Sequence, residues 1–422
     1  MRKIVCFGPG PMFKGGISNY NTSLAKTFDK DPENEVHIVS WTQQYPAIIP
    51  REFVDKSSKS DMMEGTGIQV KYITNYNNPA SWKATADYIV SLQPDVVIFQ
   101  WAIAVQGLPL GRIARRLSKH KNIEVIFDLH FVVQKENSSI DRNFTKYGIG
   151  KADTYVVHAY KTVDELKQLL PNRKLTVNED GQRATDGSTT VIKLYHPVYD
   201  LFQPDANFDI EAFKKEHGLR KNVFLYFGFI RKYKGLHNAI KAFKLVTEKR
   251  DDVSFLICGE SFWNTLDNNK LSTRIKTAVF GVAKKIFLNS QDDERNYRPL
   301  ELLDELGLKD STMLVNEFVP NEDVNKYFQV ADCGILFYLT ATPSGVESLN
   351  YNFELPILAT NVGHFPETIK HGFNGYLAEP ENIDSMAEQM LQFLDNPLPR
   401  ENVRSAAANM SWKNYCAAIL NR

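Results

Sequence analysis

The sequence predicts an α/β protein made of two doubly wound domains, each a parallel sheet with helices on both faces. Three observations carry this. With 422 residues the chain is too long for one ordinary core, so two packed domains are expected. Short, wholly apolar runs recur along it between helix-length amphipathic stretches, and such runs suit parallel strands covered on both sides. Each half opens alike, with an apolar run, a glycine-containing loop and the start of a helix.

The strand candidates of the first half are residues 4–7, 36–40, 96–100, 125–127, 155–158 and 191–194. Those of the second half are 224–227, 254–258, 313–315, 333–337, 357–359 and 375–377. The join is expected from Pro197 to about Asn222, where His196-Pro197 ends one strand and Pro204-Asp205 marks a turn. This divides the chain into a first domain at 1–200 and a second at 201–400. The last segment, 401–422, is amphipathic around Trp412, Tyr415 and Ile419 and is expected to pack back on the first domain. Two stretches exceed a minimal α/β layout. Residues 41–67 are long for a loop, and loops of that length are usually functional or disordered. In residues 265–297, Leu271, Ile275, Ala278, Val279, Val282 and Ile286 share one helical face, and Lys270, Arg274, Lys284 and Lys285 fall largely on the other.

Composition excludes several classes. Fifty Lys and Arg balance fifty Asp and Glu, which argues against a general nucleic-acid binder. Hydrophobic residues at 43% and charged residues at 24% exclude wholesale disorder. No apolar run approaches the ~18 residues needed to cross a bilayer. The apolar run after Met1-Arg2-Lys3 is broken at Gly8-Pro9, too soon for a signal-peptide core. The four cysteines, Cys6, Cys258, Cys333 and Cys416, are scattered without a CxxC pair. Neither a disulfide framework nor a zinc site is suggested, and a reduced cytoplasmic setting fits.

Three loops at strand ends suit an anion. After the first run, Phe13 stands where the fingerprint GxGxxG needs its third glycine, so that motif is excluded. Gly15-Gly16 at a helix start lets a ligand approach free amides, and a plain tight turn explains the pair as well. The second loop carries Arg231 and Lys234 beside a helix start, a placement that suits a diphosphate or a solvated basic loop. The third, from Tyr338 to Glu347, brings small polar residues to a helix N-terminus, where amides and the helix dipole favour an anion.

On these residues the second half resembles the retaining GT-B glycosyltransferases of family 4. The blocks are GFIRKYKG, LICGE, FVPNEDVNKYFQVAD, TATPSGVE, LPILATNVGHFPE and GFNGYLAEPEN. The first half resembles them more loosely, through Gly15-Gly16-Ile17, QYPAIIP and DLHFVVQKE. The resemblance implies two Rossmann-like domains facing across a cleft. It implies retaining, metal-independent transfer of a hexosyl group from a nucleoside diphosphate sugar to a glycan or lipid-linked acceptor. Bacterial surface polysaccharide synthesis is the implied context, with no nucleic acid and no cofactor. The protein is expected in the cytoplasm. Its basic amphipathic stretch, 271–287, leaves open a peripheral contact with the inner membrane face.

Residue by residue, the resemblance implies that Arg231 and Lys234 hold the donor diphosphate. Ser344, Gly345 and Val346 supply amides to the distal phosphate, with Glu347 following them in the same helix. His130 lines the donor sugar, Gly15 and Gly16 close over phosphate and acceptor, and Val319 and Pro320 pack the base. No metal site is implied, and Asp29-Lys30-Asp31 reads as a solvated turn after the first helix. One departure stands out. Many members carry two glutamates eight positions apart, and alignment on Gly345 and Pro356 puts Ala341 and Leu349 there, with Glu347 and Asn350 nearby. Two further readings follow: a catalytically silent GT-B scaffold, and a GT-B sugar-nucleotide epimerase, which needs proton-moving groups that form no clear set here.

Overall fold

The computed structural model describes residues 1–45, 53–59, 61–132, 139–261 and 297–421. The amphipathic stretch 271–287 lies outside these described residues, as do 46–50 of the QYPAIIP block and 133–136 of DLHFVVQKE. Two parallel sheets organise the rest. The first contains β1 (Arg2–Phe7), β2 (Asn34–Gln43), β3 (Gln69–Asn75), β4 (Val96–Trp101), β5 (Glu124–Leu129), β6 (Thr154–Val157), β7 (Leu175–Asn178) and β8 (Thr189–Lys193). Its strand order is β3-β2-β1-β4-β5-β6-β8-β7. The second contains β9 (Asn222–Phe227), β10 (Val253–Cys258), β11 (Thr312–Val315), β12 (Cys333–Leu336), β13 (Ile357–Thr360) and β14 (Gly375–Ala378). Its order is β11-β10-β9-β12-β13-β14.

Each sheet reverses direction beside its first strand, as a doubly wound fold does, and ligands of such sheets bind beyond the strand ends at that point. The reason lies in the sequence. β4 and β10 are buried at every residue, because helices cover both faces and both sets of side chains must be apolar. Two strands have no apolar run and were not expected. β3 and β7 are the outer strands of the first sheet, half-exposed along much of their length, and their sequences QVKYITN and LTVN carry polar residues accordingly.

The two domains share a buried apolar layer. Ile4, Cys6, Tyr20 and Leu24 on the first-domain side join Tyr199, Phe202, Leu225, Leu256 and Phe328 in one cluster. Where one amphipathic segment was expected after residue 400, two helices form, divided at Ser411, whose side chain caps the second by accepting from Asn414 N–H. The helix Arg400–Ala407 stays on the second domain, with Arg400 donating to the carbonyls of Phe353 and Ala331. The helix Trp412–Leu420 crosses over, and its Trp412 and Tyr415 rings pack against Tyr20 of the first helix, Gly16–Asp29. Among the described residues no helix is long and apolar enough to cross a membrane.

Candidate active site

A cleft of about 900 Å³, counting its open mouth, lies where the two domains meet. Gly15, Gly16, Asn19, Tyr199 and Phe202 form one wall. The opposite wall carries Gly228, Lys234, Val319, Leu349 and the helix start at Ser344–Val346. The loops after β1, β9, β11 and β12 thus converge on one space, which sheet order brings about.

Two glycines permit the close approaches. Gly228 has φ 93°, a backbone conformation that favours glycine, and the Lys234 Nζ lies 2.8 Å from where a Cβ would stand. A Cβ on Gly345 would come within 2.5 Å of the Tyr199 ring. Tyr199 in turn donates its hydroxyl to the Gly16 carbonyl at 2.7 Å. Gly16, Tyr199 and Gly345 therefore clasp the domains at the cleft floor.

Lys234 is only 7% exposed. Burial, reinforced by the neighbouring Arg231 cation, pushes its amine down to about 7. An anion entering the cleft would offset both effects and favour the charged amine. At the helix Gly345–Asn352, the Ser344 Oγ accepts from the Val346 N–H at 3.2 Å and caps the turn. Phe227, Phe229, Phe318 and Val319 give the cleft an aromatic, apolar end suited to a flat ring.

A strap from the first domain closes over this end. The Ser58 Oγ accepts from the Asn321 N–H at 3.1 Å, and the Lys59 N–H donates to Glu322 at 3.2 Å. Lys14 lies over the Phe318 ring at 4.6 Å. Asn321 lines the cleft, whereas Pro320 does not.

Glu347, expected beside the donor, is turned into the second domain. His364 Nε2 and Thr368 Oγ1 bond its carboxylate, and the helix carries it away from the cleft wall. Asn350 also faces inward: it donates to the Val346 carbonyl at 2.8 Å, and a Cβ on Gly334 would strike its Oδ1. Neither side chain lines the cleft. Of the two positions aligned with the family's glutamates, Leu349 lines the cleft and Ala341 is buried.

His130 is not on the cleft wall, and a chain of rings leads to it. Tyr199 packs on His196 at 5.4 Å, His196 on Tyr20 at 5.0 Å and Tyr20 edge-on to His130 at 4.7 Å. Behind them Asp128 is fully buried and accepts from Tyr20 and Tyr415 hydroxyls at 2.9 and 3.0 Å and from His158 Nε2 at 2.8 Å. Burial alone would raise the Asp128 carboxyl, but His158, His130 and the Tyr20 hydroxyl outweigh it and hold it below the ordinary value. Burial pushes His130 down to about 4, so its ring is neutral at pH 7. His196, also pushed well down by burial, bonds Ser348 on the second domain through Nδ1 at 2.7 Å.

Sequence reading missed Tyr199, Tyr20, Gln100 and Ser348. Each acts through partners distant in the chain, and no local pattern marks it.

Comparison with known proteins agrees with this architecture. Residues 207–410 match the family model described as glycosyl transferases group 1. N-acetyl-alpha-D-glucosaminyl L-malate synthase of Bacillus anthracis is 23% identical over 70% of this chain and 65% of its own length. Spore coat protein SA of Bacillus subtilis is 24% identical over 54% of this chain and 55% of its own. The chain therefore spans less than two thirds of these curated relatives. Among solved structures, Anabaena HepE in complex with UDP superimposes with a TM-score of 0.63 at 14% identity, covering 98% of this chain and 96% of that one. The chain has the GT-B fold along its whole length, and its second half carries the match to the glycosyl transferases group 1.

Proposed function

We propose that this protein is a glycosyltransferase that takes a nucleoside diphosphate sugar into the interdomain cleft and passes the sugar to a glycan or lipid-linked acceptor. One observation carries the reading. A buried amine, a capped helix N-terminus and the Gly15-Gly16 loop line a single space beside an aromatic wall. Amines and amides suit a diphosphate, and the aromatic wall suits a base.

In this reading the anomeric C–O bond breaks and its electron pair moves to the distal phosphate oxygen. Lys234, Arg231 and the amides at Ser344–Val346 favour that charge more in the transition state than before it. The acceptor hydroxyl attacks from the same face, its proton passing to the departing phosphate oxygen, so configuration is retained. Cationic side chains take the role of a metal. His130, held neutral and set back from the cleft wall, is the side chain this reading assigns to the sugar. Hexosyl transfer for polysaccharide assembly completes the reading, and a cytoplasmic setting suits the four buried free thiols.

A second reading, a silent sugar-nucleotide binder, is favoured by Leu349 on the wall where a carboxylate would serve the ribose. Incubation with UDP- and GDP-sugars and mixed glycan and lipid-linked acceptors, with the product anomer followed by NMR, separates the two. Retained configuration, activity in EDTA and loss in His130→Ala support transfer. An inverted product or strict metal dependence would sink the mechanism, and donor binding without turnover would move the second reading forward.

A further inference from the structure

We propose that Gln100 is a positioning residue that fixes which nitrogen of His130 carries its proton, so that His130 offers its ligand a bare Nδ1 and selects a hydroxyl group over a phosphate oxygen. The inference deepens the glycosyl-transfer reading and rests on it for the identity of the ligand.

The geometry begins with the sheet. β4 and β5 pair in parallel with Gln100 opposite Asp128 and Trp101 opposite Leu129. The next residue, His130, continues the ladder through its N–H to the Trp101 carbonyl at 3.2 Å. This register sets the two side chains together, with Gln100 Oε1 2.8 Å from His130 Nε2. An amide oxygen only accepts, so Nε2 bears the hydrogen, and a neutral imidazole has just one. Nδ1 is then a lone pair. It has no hydrogen-bond partner among the described residues.

The amide's orientation is set from its other side. A Cβ on Gly8 would meet Gln100 Cγ at 2.8 Å and Asn21 Cγ at 3.2 Å, so both side chains lie against that glycine. Asn21 commits its Nδ2 to the Pro9 carbonyl, which leaves its Oδ1 a buried acceptor without a partner among the described residues. Gln100 Nε2 is a buried donor that likewise has none among the described residues. A donor and an acceptor left over beside the same glycine are complementary, and the reversed amide would leave two acceptors there instead.

The groups around the ring keep it uncharged. Asp128 on β5 favours the cation, but Tyr20 and Tyr415 hydroxyls and His158 share its charge, and His158 and burial oppose protonation of His130. His196, after β8, is neutral. A lone pair in this setting receives a hydroxyl hydrogen and repels a phosphate oxygen.

The full-length protein, labelled with ¹⁵N-histidine, gives the test through long-range ¹H–¹⁵N spectra, with the His130 signal assigned by its absence in His130→Ala. The neutral Nε2–H pattern is expected from about pH 5.5 to 8.5. An Nδ1–H pattern or an imidazolium in the wild type overturns the proposal. Gln100→Met, of similar shape with no strong acceptor, should release the tautomer into a mixture. Gln100→Glu sets a carboxylate against Nε2 and should raise the His130 pKa by about one to three pH units. Turnover would then fall at low pH with the donor KM little changed, moving the acid limb upward. If both variants keep the wild-type spectrum and pH profile, Gln100 only packs and the proposal fails. If the Nε2–H form is found but no variant or wild type transfers a sugar, the tautomer assignment stands and the transfer reading falls.

Discussion

Lys234 gives the sharpest quantitative prediction, because its amine is buried near a second cation before any ligand arrives. With its pKa pushed down to about 7, half the molecules carry it uncharged at neutral pH. A bound diphosphate needs it charged, so binding must take up a proton. The sign follows: affinity is full below the depressed pKa and falls as pH rises above it. Between about pH 6 and pH 8.5 the charged fraction drops roughly thirty-fold, equivalent to ~2 kcal/mol of binding free energy. A nucleotide sugar is the right probe, since its phosphates do not titrate in that range. Calorimetry in buffers of differing ionisation enthalpy should show about half a proton taken up at pH 7 and nearly one at pH 8.5. Lys234→Arg should abolish the slope, because a guanidinium stays charged throughout. Affinity independent of pH in the wild type, with no proton uptake, would refute the reasoning.

Two further substitutions probe the interdomain clasp and the buried network. Gly345→Ala places a methyl 2.5 Å from the Tyr199 ring, and donor affinity should drop about tenfold or more with the far-ultraviolet spectrum unchanged. Adding Tyr199→Ala should recover part of that loss, and failure to recover any would discount the clash. Asp128→Asn removes the charge on which two hydroxyls and His158 converge, and should cost about 2–4 kcal/mol in urea unfolding at pH 7. The Asp128 pKa is depressed by folding, so its contribution exists above the ordinary carboxylate pKa and disappears as pH falls through the folded value. The gap between wild type and variant should therefore narrow in acid, and a gap constant with pH would contradict the assignment.

The fold was largely legible because most strands are covered on both faces and must read as apolar runs. β3 and β7 escaped for the same physical reason, being outer strands with one side open to water. Of the site, the strand-end loops were legible, since sheet topology dictates where ligands go. Lys234, Gly15 and the Ser344–Val346 turn line one cleft. Glu347 was misread because position along a helix does not reveal which way a side chain turns, and His364 with Thr368 claims its carboxylate. Tyr199 lies in the connection between domains, more than a hundred residues from the Gly345 it touches, and no spacing rule links them. Gln100 read as the polar end of an apolar strand until β4 and β5 set it beside His130.

The central claim is that the interdomain cleft holds a nucleoside diphosphate through Lys234 and the amides at Ser344–Val346. Calorimetric titration of the protein with UDP-, GDP- and other nucleotide sugars at about pH 6.5, with and without Mg²⁺, tests it most directly. The account predicts saturable binding of one nucleotide class, indifferent to the metal and weakened about a hundredfold in Lys234→Ala, a loss of ~2.7 kcal/mol. Binding as tight in Lys234→Ala as in the wild type, or binding to none of these donors, would contradict it.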